Sequence, residues 1–261
     1  MRIGFISGLQ EEDFRFAAEH GFPCMETNIT TDAAPLLARK DELKRCIREY
    51  KVDISHIGMY NNDHTAPDAA VRKECAARLK ALTELCADLG VPIVTTGGGF
   101  GTKGDNEKSC RESVEVLGPA VSFAKTKGVR FSFYNCHWGN HVIGPKQWEP
   151  ILKALPEAGI KFDPSHPYYD NEDYLQQMLD WGHRFLHMHA KGCVRVGGRQ
   201  VEDPPPGFDM IQWGPFFAIL YKINYRGDLN IEPHSKTWSG PRLQQGILLG
   251  QRFLKQYVLM G

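Results

Sequence analysis

The stretch PDAAVRKECAARLKALTELCADLGVPIVT, which runs from Pro67 to Thr95, contains one helical pattern and the strand pattern that follows it. Its apolar side chains recur every three or four residues, which is the spacing of one helix face. They are Val71, Cys75, Leu79, Leu82, Cys86 and Leu89. Pro67 in the first turn and Gly90 at the end are typical helix boundaries, and a short apolar run then spans Pro92–Thr95. We interpret this stretch as one helix–strand unit of a parallel β/α fold.

Short apolar runs alternate with helical patterns along all 261 residues. The predicted strands are Arg2–Ile6, Cys24–Thr27, Asp53–Ile57, Pro92–Thr95, Val129–Tyr134, Ile160–Asp163, Phe185–His189 and Leu229–Glu232. Further helices are predicted near residues 107–127, 145–155, 172–181, 211–223 and 241–257. A (β/α)8 barrel typically takes about 250 residues, so we predict a single (β/α)8 TIM barrel domain over residues 1–261. An open doubly wound sheet is the alternative.

The charge and cysteine content narrow the class of partner. Lys plus Arg (31) balances Asp plus Glu (31), and the formal net charge of zero argues against nucleic acid, which needs a basic surface. No polybasic segment or apolar run indicates a membrane contact or a signal peptide. The seven cysteines are scattered and odd in number, as reduced cytosolic thiols often are. We expect a cytoplasmic protein that binds a small molecule, with a homo-oligomer left open.

Three successive predicted strands end in residues that bind metals. Strand six ends in Asp163, strand seven in His189 and strand eight in Glu232. Residues at the carboxyl ends of barrel strands face the active site, so these three side chains should meet at one rim. Carboxylate and imidazole together favour Mn, Zn, Co or Fe over Mg. We predict one divalent metal ion there, with His187 in a supporting position two residues earlier on the same strand face.

Other rim positions are weaker candidates. Glu26 ends strand two and is predicted to bind a substrate hydroxyl, although a cap or salt bridge is equally compatible with the pattern. Trp138 could stack on a sugar ring or pack in the core. The segment from Ala190 to Gly207 is long for a βα loop, and long loops in compact domains are often functional.

The chain resembles the xylose isomerase-like TIM barrel superfamily, in its sugar phosphate isomerase/epimerase group. The matching stretches are GIKFDPSH at 159–166, FLHMHAK at 185–191 and GDLNIE at 227–232. The resemblance implies metal ligands at Asp163, His189 and Glu232, and a substrate-contacting role for His166. It also implies that Arg195 binds substrate oxygens, and we expect Lys191 to contact the substrate as well.

Strand five departs from the family pattern, in which a Glu serves as ligand and base. The run here is FYNCHWGNH at 133–141, and Tyr134 stands at the Glu position. A neutral phenol is a poor ligand and a poor base. Either water takes the place of the fourth ligand or a neighbouring residue replaces it. We predict His137 as the replacement ligand and as a catalytic group, with His141 as the second choice. Cys136 is a remote candidate for a nucleophile.

Together these observations predict a metal-dependent isomerase or epimerase that acts on a sugar or sugar phosphate. It would work by proton abstraction beside a metal-polarised carbonyl, with Glu232, His137 and His166 as catalytic groups. A lyase or hydratase on a keto-sugar, built from the same metal site, is the alternative. A non-catalytic sugar-binding barrel is a further possibility, and the neutral charge disfavours an endonuclease.

Overall fold

The computed structural model describes residues 1–259 and contains a closed barrel of eight parallel strands. The strands within that range are β1 Arg2–Ile6, β2 Cys24–Ile29, β3 Asp53–Met59, β4 Ile93–Thr96, β5 Arg130–Tyr134, β6 Ala158–Phe162, β7 Phe185–Ala190, β8 Val194–Val196, β9 Arg199–Glu202 and β10 Asp228–Ile231. The barrel order is β1-β10-β7-β6-β5-β4-β3-β2. All eight predicted barrel strands are confirmed, and the open sheet is excluded because β1 pairs with both β2 and β10.

Helices surround the barrel. They are α1 Glu11–Glu19, α2 Ala34–Ala38, α3 Lys40–Tyr50, α4 Ala69–Leu89, α5 Asn106–Thr126, α6 Pro145–Ala154, α7 Ser165–Tyr169, α8 Tyr174–Trp181, α9 Trp213–Lys222 and α10 Pro241–Lys255. The six predicted helices correspond to α4, α5, α6, α8, α9 and α10. Helix α4 begins two residues after the predicted Pro67, because Asp68 caps it by accepting from the Ala70 amide at 2.8 Å. Gly90 ends it with a φ of 72°, a left-handed conformation that glycine adopts without strain. In the described part of the chain, no helix combines the length and hydropathy that a bilayer span requires.

The long segment after β7 forms an antiparallel hairpin of β8 and β9. Its far end is held to the barrel by Asp203, whose carboxylate accepts a hydrogen bond from the Tyr169 hydroxyl. The Asp203 carbonyl also accepts from the His234 amide at 3.1 Å. The hairpin therefore connects the ends of β6, β7 and β10 at one rim of the barrel.

The apolar core lies mainly between the strands and the helices. Trp148 of α6 is fully buried and packs edge-on against Phe162 of β6 and Phe185 of β7. Each large apolar side chain buried in this way contributes roughly 1.5–3 kcal/mol. This layer holds the strands rigidly, so the side chains at their ends keep fixed positions.

The inside of the barrel is unusually polar. His56 contacts Thr95 at 2.6 Å, and Thr95 contacts Ser132 at 2.5 Å, all three fully buried. Asn230 fills the space beside Gly4, where a Cβ would collide with its side-chain oxygen. A buried network of this kind is tolerated only when its polar groups find partners, and it supports the rim residues above it.

Candidate metal centre and active site

Asp163, His189 and Glu232 meet at the carboxyl-terminal rim of the barrel. Asp163 directly follows β6, His189 lies in β7 and Glu232 directly follows β10, and these three strands are neighbours. Their ligand atoms all lie within 4.8 Å of one another. His189 Nδ1 is 2.8 Å from Glu232 Oε2 and 3.9 Å from Asp163 Oδ2. The structure therefore brings together the three residues that the sequence predicted as metal ligands.

Asp163 is held so that one oxygen stays available. Its Oδ1 accepts hydrogen bonds from the Ser165 amide and hydroxyl at 2.9 and 2.7 Å. Its backbone is bound on both sides by the Asn135 amide, at 3.0 Å in each case. Oδ2 is buried without a hydrogen bond among the described residues, although the Lys191 ammonium lies 3.3 Å from it as an ion-pair partner. A buried carboxylate oxygen normally accepts a hydrogen bond, so Oδ2 still has the capacity to bind a metal ion, and the donor set fits a cation at this point.

Electrostatics keep the carboxylates of this group ionised. Burial would raise the pKa of Glu232, but the adjacent His189 outweighs it and lowers that pKa to about 2. Burial would lower the pKa of His189, but Glu26 and Glu232 on its two sides raise it to about 9. Burial would raise the pKa of Asp163, and the Lys191 ammonium lowers it well below its ordinary value. The group therefore presents the carboxylates of Asp163 and Glu232 together with the His189 ring, which Glu26 and Glu232 hold between them.

Lys191 and His166 complete one wall of the site. Lys191 Nζ lies 3.3 Å from Asp163 Oδ2 and 3.2 Å from His166 Nε2. Burial and the neighbouring Lys191 ammonium lower the pKa of His166 to about 4, so its ring is neutral at physiological pH. Burial would lower the pKa of Lys191, but Asp163 raises it well above its ordinary value. A neutral imidazole and a charged ammonium thus stand side by side, as expected for groups that bind a substrate.

These residues line a concave space of about 170 Å³, here called the rim pocket. It is lined by Ile6, Asn28, Thr30, Tyr60, Cys136, Trp138, Lys161, Asp163, His166, His189, Lys191, Glu232 and His234. Trp138 covers it with a ring that is 52% exposed, so it is not packed in the core. The rim pocket has the mixture of apolar walls and a few convergent polar groups that characterises small-molecule sites.

Glu26 lies beneath the rim pocket and does not line it. Its carboxylate is fully buried, and its Oε1 accepts from His189 Nε2 at 2.5 Å. Its Oε2 accepts from His187 and, at 2.7 Å, from Asn230. The expectation that Glu26 binds substrate is therefore not met, because three side chains of the barrel interior already occupy its carboxylate. His187 has the supporting position that was predicted for it.

Tyr134 occupies the inner face at the end of β5, but its hydroxyl does not point at Asp163. It donates to the Trp138 carbonyl at 2.9 Å and accepts from the Asn61 amide at 3.2 Å. Its ring stacks on Tyr60 with centroids 4.2 Å apart. Strand five therefore supplies no ligand to the metal-binding group, and Tyr134 instead stabilises the loop above the barrel.

The structure does not bring His137, His141 or Arg195 into the rim pocket. His137 is half exposed and its Nε2 pairs with Asp170 at 2.6 Å on the outside of the turn, so it is not positioned as the fourth ligand or as a catalytic group. The His141 ring is turned toward α5 and contacts Ser113 at 2.7 Å. The Arg195 guanidinium donates to the Tyr168 and Gly198 carbonyls within the hairpin region. The strand-five turn faces the rim pocket with Cys136 and Trp138 instead.

Sequence reasoning missed Lys161, Tyr60 and Asn28, which also line the rim pocket. Lys161 lies two residues before Asp163, and the period of two places both on the same face of β6. A lysine within a strand that is otherwise apolar was a signal for it. Tyr60 and Asn28 follow no motif, and only the barrel geometry brings them to the site. Cys136, weighed as a nucleophile, has its thiol pKa raised by burial, which opposes that role.

Comparison with known proteins places these observations in a wider group. The model of the family described as xylose isomerase-like TIM barrel matches residues 14–257. An inosose dehydratase of Clostridium botulinum (strain Alaska E43 / Type E3) is 24% identical over 171 residues, which cover 58% of this chain and 55% of that protein. The chain thus spans little more than half the length of this curated relative.

Solved structures give the same fold at lower identity. D-psicose 3-epimerase from Clostridium cellulolyticum H10, crystallised with D-tagatose, superposes with a TM-score of 0.82 at 17% identity and covers 98% of this chain and 99% of its own. The IolI protein with a bound zinc atom also superposes with a TM-score of 0.82 at 17% identity, over 100% of both chains. At such identity the likeness establishes the barrel fold.

Proposed function

Because the chain belongs to the xylose isomerase-like TIM barrel family, we propose that it is a metal-dependent isomerase or epimerase of a small sugar. The observation that carries the proposal is the group of Asp163, His189 and Glu232, whose ligand atoms lie within 4.8 Å of one another at the rim pocket. Solved relatives of this fold include sugar epimerases and a zinc-binding protein, which supports both halves of the proposal.

The metal would be held by Asp163 Oδ2, His189 Nδ1 and a Glu232 oxygen. Oδ2 is suited to this because it is buried and has no hydrogen bond in the described chain. His189 is suited because Glu26 accepts from its other ring nitrogen, which fixes the ring and leaves Nδ1 toward the pocket. When bound, a divalent ion supplies Lewis-acid polarisation of a carbonyl oxygen. The mixed nitrogen and oxygen donors favour Mn, Zn, Co or Fe over Mg.

Glu232 is the group placed to move a proton. Its Oε2 contacts His189, while its Oε1 has no hydrogen bond within residues 1–259. The lowered pKa of about 2, caused by His189 against the effect of burial, keeps the carboxylate ionised. In the proposed isomerisation Oε1 takes the proton from the carbon beside the substrate carbonyl and returns it to the carbonyl carbon, while the hydroxyl proton moves to the carbonyl oxygen. Epimerisation would require a second group to deliver a proton to the opposite face of the first carbon. Lys191 and His166 would bind substrate oxygens on the adjacent wall.

A lyase or dehydratase reaction on a keto-sugar is the second candidate. Tyr134 replaces the strand-five carboxylate and turns its hydroxyl away, so the described site lacks a second carboxylate on the opposite face of a substrate. A single carboxylate base with an adjacent ammonium suits removal of a proton and then of a hydroxyl group. The similarity to inosose dehydratases also favours a dehydratase reaction.

One experiment tests both candidates. The metal-loaded protein is incubated in D2O with ketopentoses, ketohexoses and a keto-inositol, and products are analysed by NMR and mass spectrometry. We expect deuterium at the carbon beside the carbonyl, abolished in Glu232→Gln and retained in the matched surface variant Glu149→Gln on α6. A rearranged sugar whose mass differs from that of the substrate only by the incorporated deuterium supports the isomerase or epimerase, and loss of water supports the dehydratase. Sugar binding without turnover or exchange would instead indicate a non-catalytic sugar-binding barrel.

A further inference from the structure

Lys161 is a buried cation at the floor of the rim pocket. It lies on the inner face of β6, in register with Tyr134 on one side and His187 on the other. Its residue is only 1% exposed, yet it contributes to the lining of the rim pocket. The ammonium therefore stands one layer below Asp163, where the reacting end of a substrate would enter.

The surroundings of Lys161 do not neutralise it. Within residues 1–259 it makes no hydrogen bond and no ion pair closer than 4.0 Å, and its Nζ lies 5.9 Å from the centre of the Tyr60 ring. Lys191, by contrast, pairs with Asp163 at 3.3 Å. Burying an ammonium without an ion-pair partner costs free energy. An anionic group of a ligand bound in the rim pocket would supply that partner and remove the cost.

The carboxylates near Lys161 are engaged with other groups. The cluster at and below the rim pocket has four of them, those of Glu26, Asp163, Asp203 and Glu232. Glu26 and Glu232 contact His189, and Asp163 and Asp203 act on Lys191. None of them pairs with Lys161 within residues 1–259, so a ligand that carries one negative charge would give this ammonium a partner.

On these grounds we propose, as a deepening of the proposed function, that Lys161 binds a carboxylate of the substrate and that the substrate is a sugar acid. A carboxylate is favoured over a phosphate because Lys161 lies deep in the pocket, and its single ammonium can offset the one charge of a carboxylate but not the nearly two charges of a phosphate. Lys191 can still bind a substrate oxygen, but its charge is already paired with Asp163 at 3.3 Å, so selection of a charged substrate falls to Lys161.

The test compares matched six-carbon probes. Calorimetry measures the binding of D-gluconate, D-sorbitol and D-sorbitol 6-phosphate. The proteins are wild type, Lys161→Met and the control Lys153→Met at an exposed site. Each protein is measured once loaded with Mn²⁺ and once stripped of metal. We expect gluconate to bind at least about tenfold more tightly than sorbitol, the scale of one charge-assisted hydrogen bond. Lys161→Met should reduce this preference to about twofold or less, and Lys153→Met should retain it.

Each outcome decides the proposal. Equal or undetectable binding of gluconate and sorbitol to wild-type protein overturns it, as does an unchanged preference in Lys161→Met or a preference for the phosphate. Lys161→Met should fold, because it replaces a buried charge by an apolar chain of similar length, and a thermal midpoint at or above that of wild type checks this. The same measurements show separately whether the metal site is wrong. In that case the Mn²⁺-loaded and metal-stripped proteins would bind each probe equally, while Lys161→Met would still lower the preference for gluconate.

Discussion

The Glu26 carboxylate accepts a hydrogen bond from His189 Nε2 at 2.5 Å, on the side of the ring that faces away from the rim pocket. The two residues are 163 positions apart in the chain, and only the closed barrel brings them together. Glu26 thus orients a metal ligand from below, which fixes the imidazole and directs Nδ1 toward Asp163 and Glu232. Its contribution to the site is indirect, through His189.

Glu26→Gln should weaken metal binding without removing any ligand. The amide offers a weaker acceptor to His189, and partners of this kind typically contribute about 10- to 100-fold in affinity. Competition with a metal-binding dye measures the dissociation constant for Mn²⁺ or Zn²⁺, and thermal unfolding of the metal-free protein checks that the barrel persists. Wild-type affinity in folded Glu26→Gln would show that Glu26 has no influence on the metal.

The metal-binding group itself should retain one divalent ion per chain. Elemental analysis of protein purified without chelator measures this content, and Asp163→Ala, His189→Ala and Glu232→Ala should each reduce it sharply. Asp170→Ala is the matched control, since Asp170 is a carboxylate that pairs with His137 outside the rim pocket. Full occupancy in all three variants, or none in wild type after reconstitution, would contradict the site.

His166 and His137 should differ in their effect on activity. His166 lines the rim pocket beside Lys191, whereas His137 is half exposed and pairs with Asp170. His166→Ala should lower turnover by at least about 100-fold, the usual scale for a positioned acid–base or binding group. The turnover of His137→Ala should stay within about twofold of wild type, because His137 lies outside the rim pocket and a surface substitution costs little stability. A large loss in folded His137→Ala would return that residue to the mechanism.

Buried neutral histidines should make the fold sensitive to acid. His64 contacts Thr96 at 2.8 Å, and burial lowers its pKa from 6.5 to about 4. The unfolded chain therefore binds more protons than the folded one between these values, so the free energy of unfolding falls as the pH drops from about 6.5 to about 4. This one group contributes up to about 3 kcal/mol to that fall.

Urea unfolding at pH 7 and pH 4.5 measures this contribution. His64→Gln keeps a hydrogen-bonding group near Thr96 but cannot titrate, so its free energy of unfolding should change less with pH than that of wild type. His183→Gln, at an exposed position, should show the wild-type pH dependence. Identical pH dependence in wild type and His64→Gln would remove His64 as a cause of acid sensitivity.

Several expectations from the sequence depended on the direction of a single side chain. The structure differs from the sequence-based expectations mainly at these residues. His64 follows β3 in a loop, where no local pattern indicates burial, yet it is buried against Thr96. His137 was expected in the site, but its ring pairs with Asp170 outside the rim pocket. Directions within turns depend on individual backbone angles and on packing partners from other strands, and neither is encoded in a local pattern.

The sequence by itself determined the (β/α)8 barrel and the rim group of Asp163, His189 and Glu232. Both follow from local regularities, because apolar periodicity defines the elements and parallel strands deliver their ends to one rim. Only the tertiary structure decided that Glu26 supports His189 from below, that Tyr134 turns away and that Lys161 lies in the pocket without an ion-pair partner among residues 1–259. The physical reason is that these contacts depend on strand register around a closed barrel, which joins residues far apart in the chain and is specified by the packing of the whole molecule.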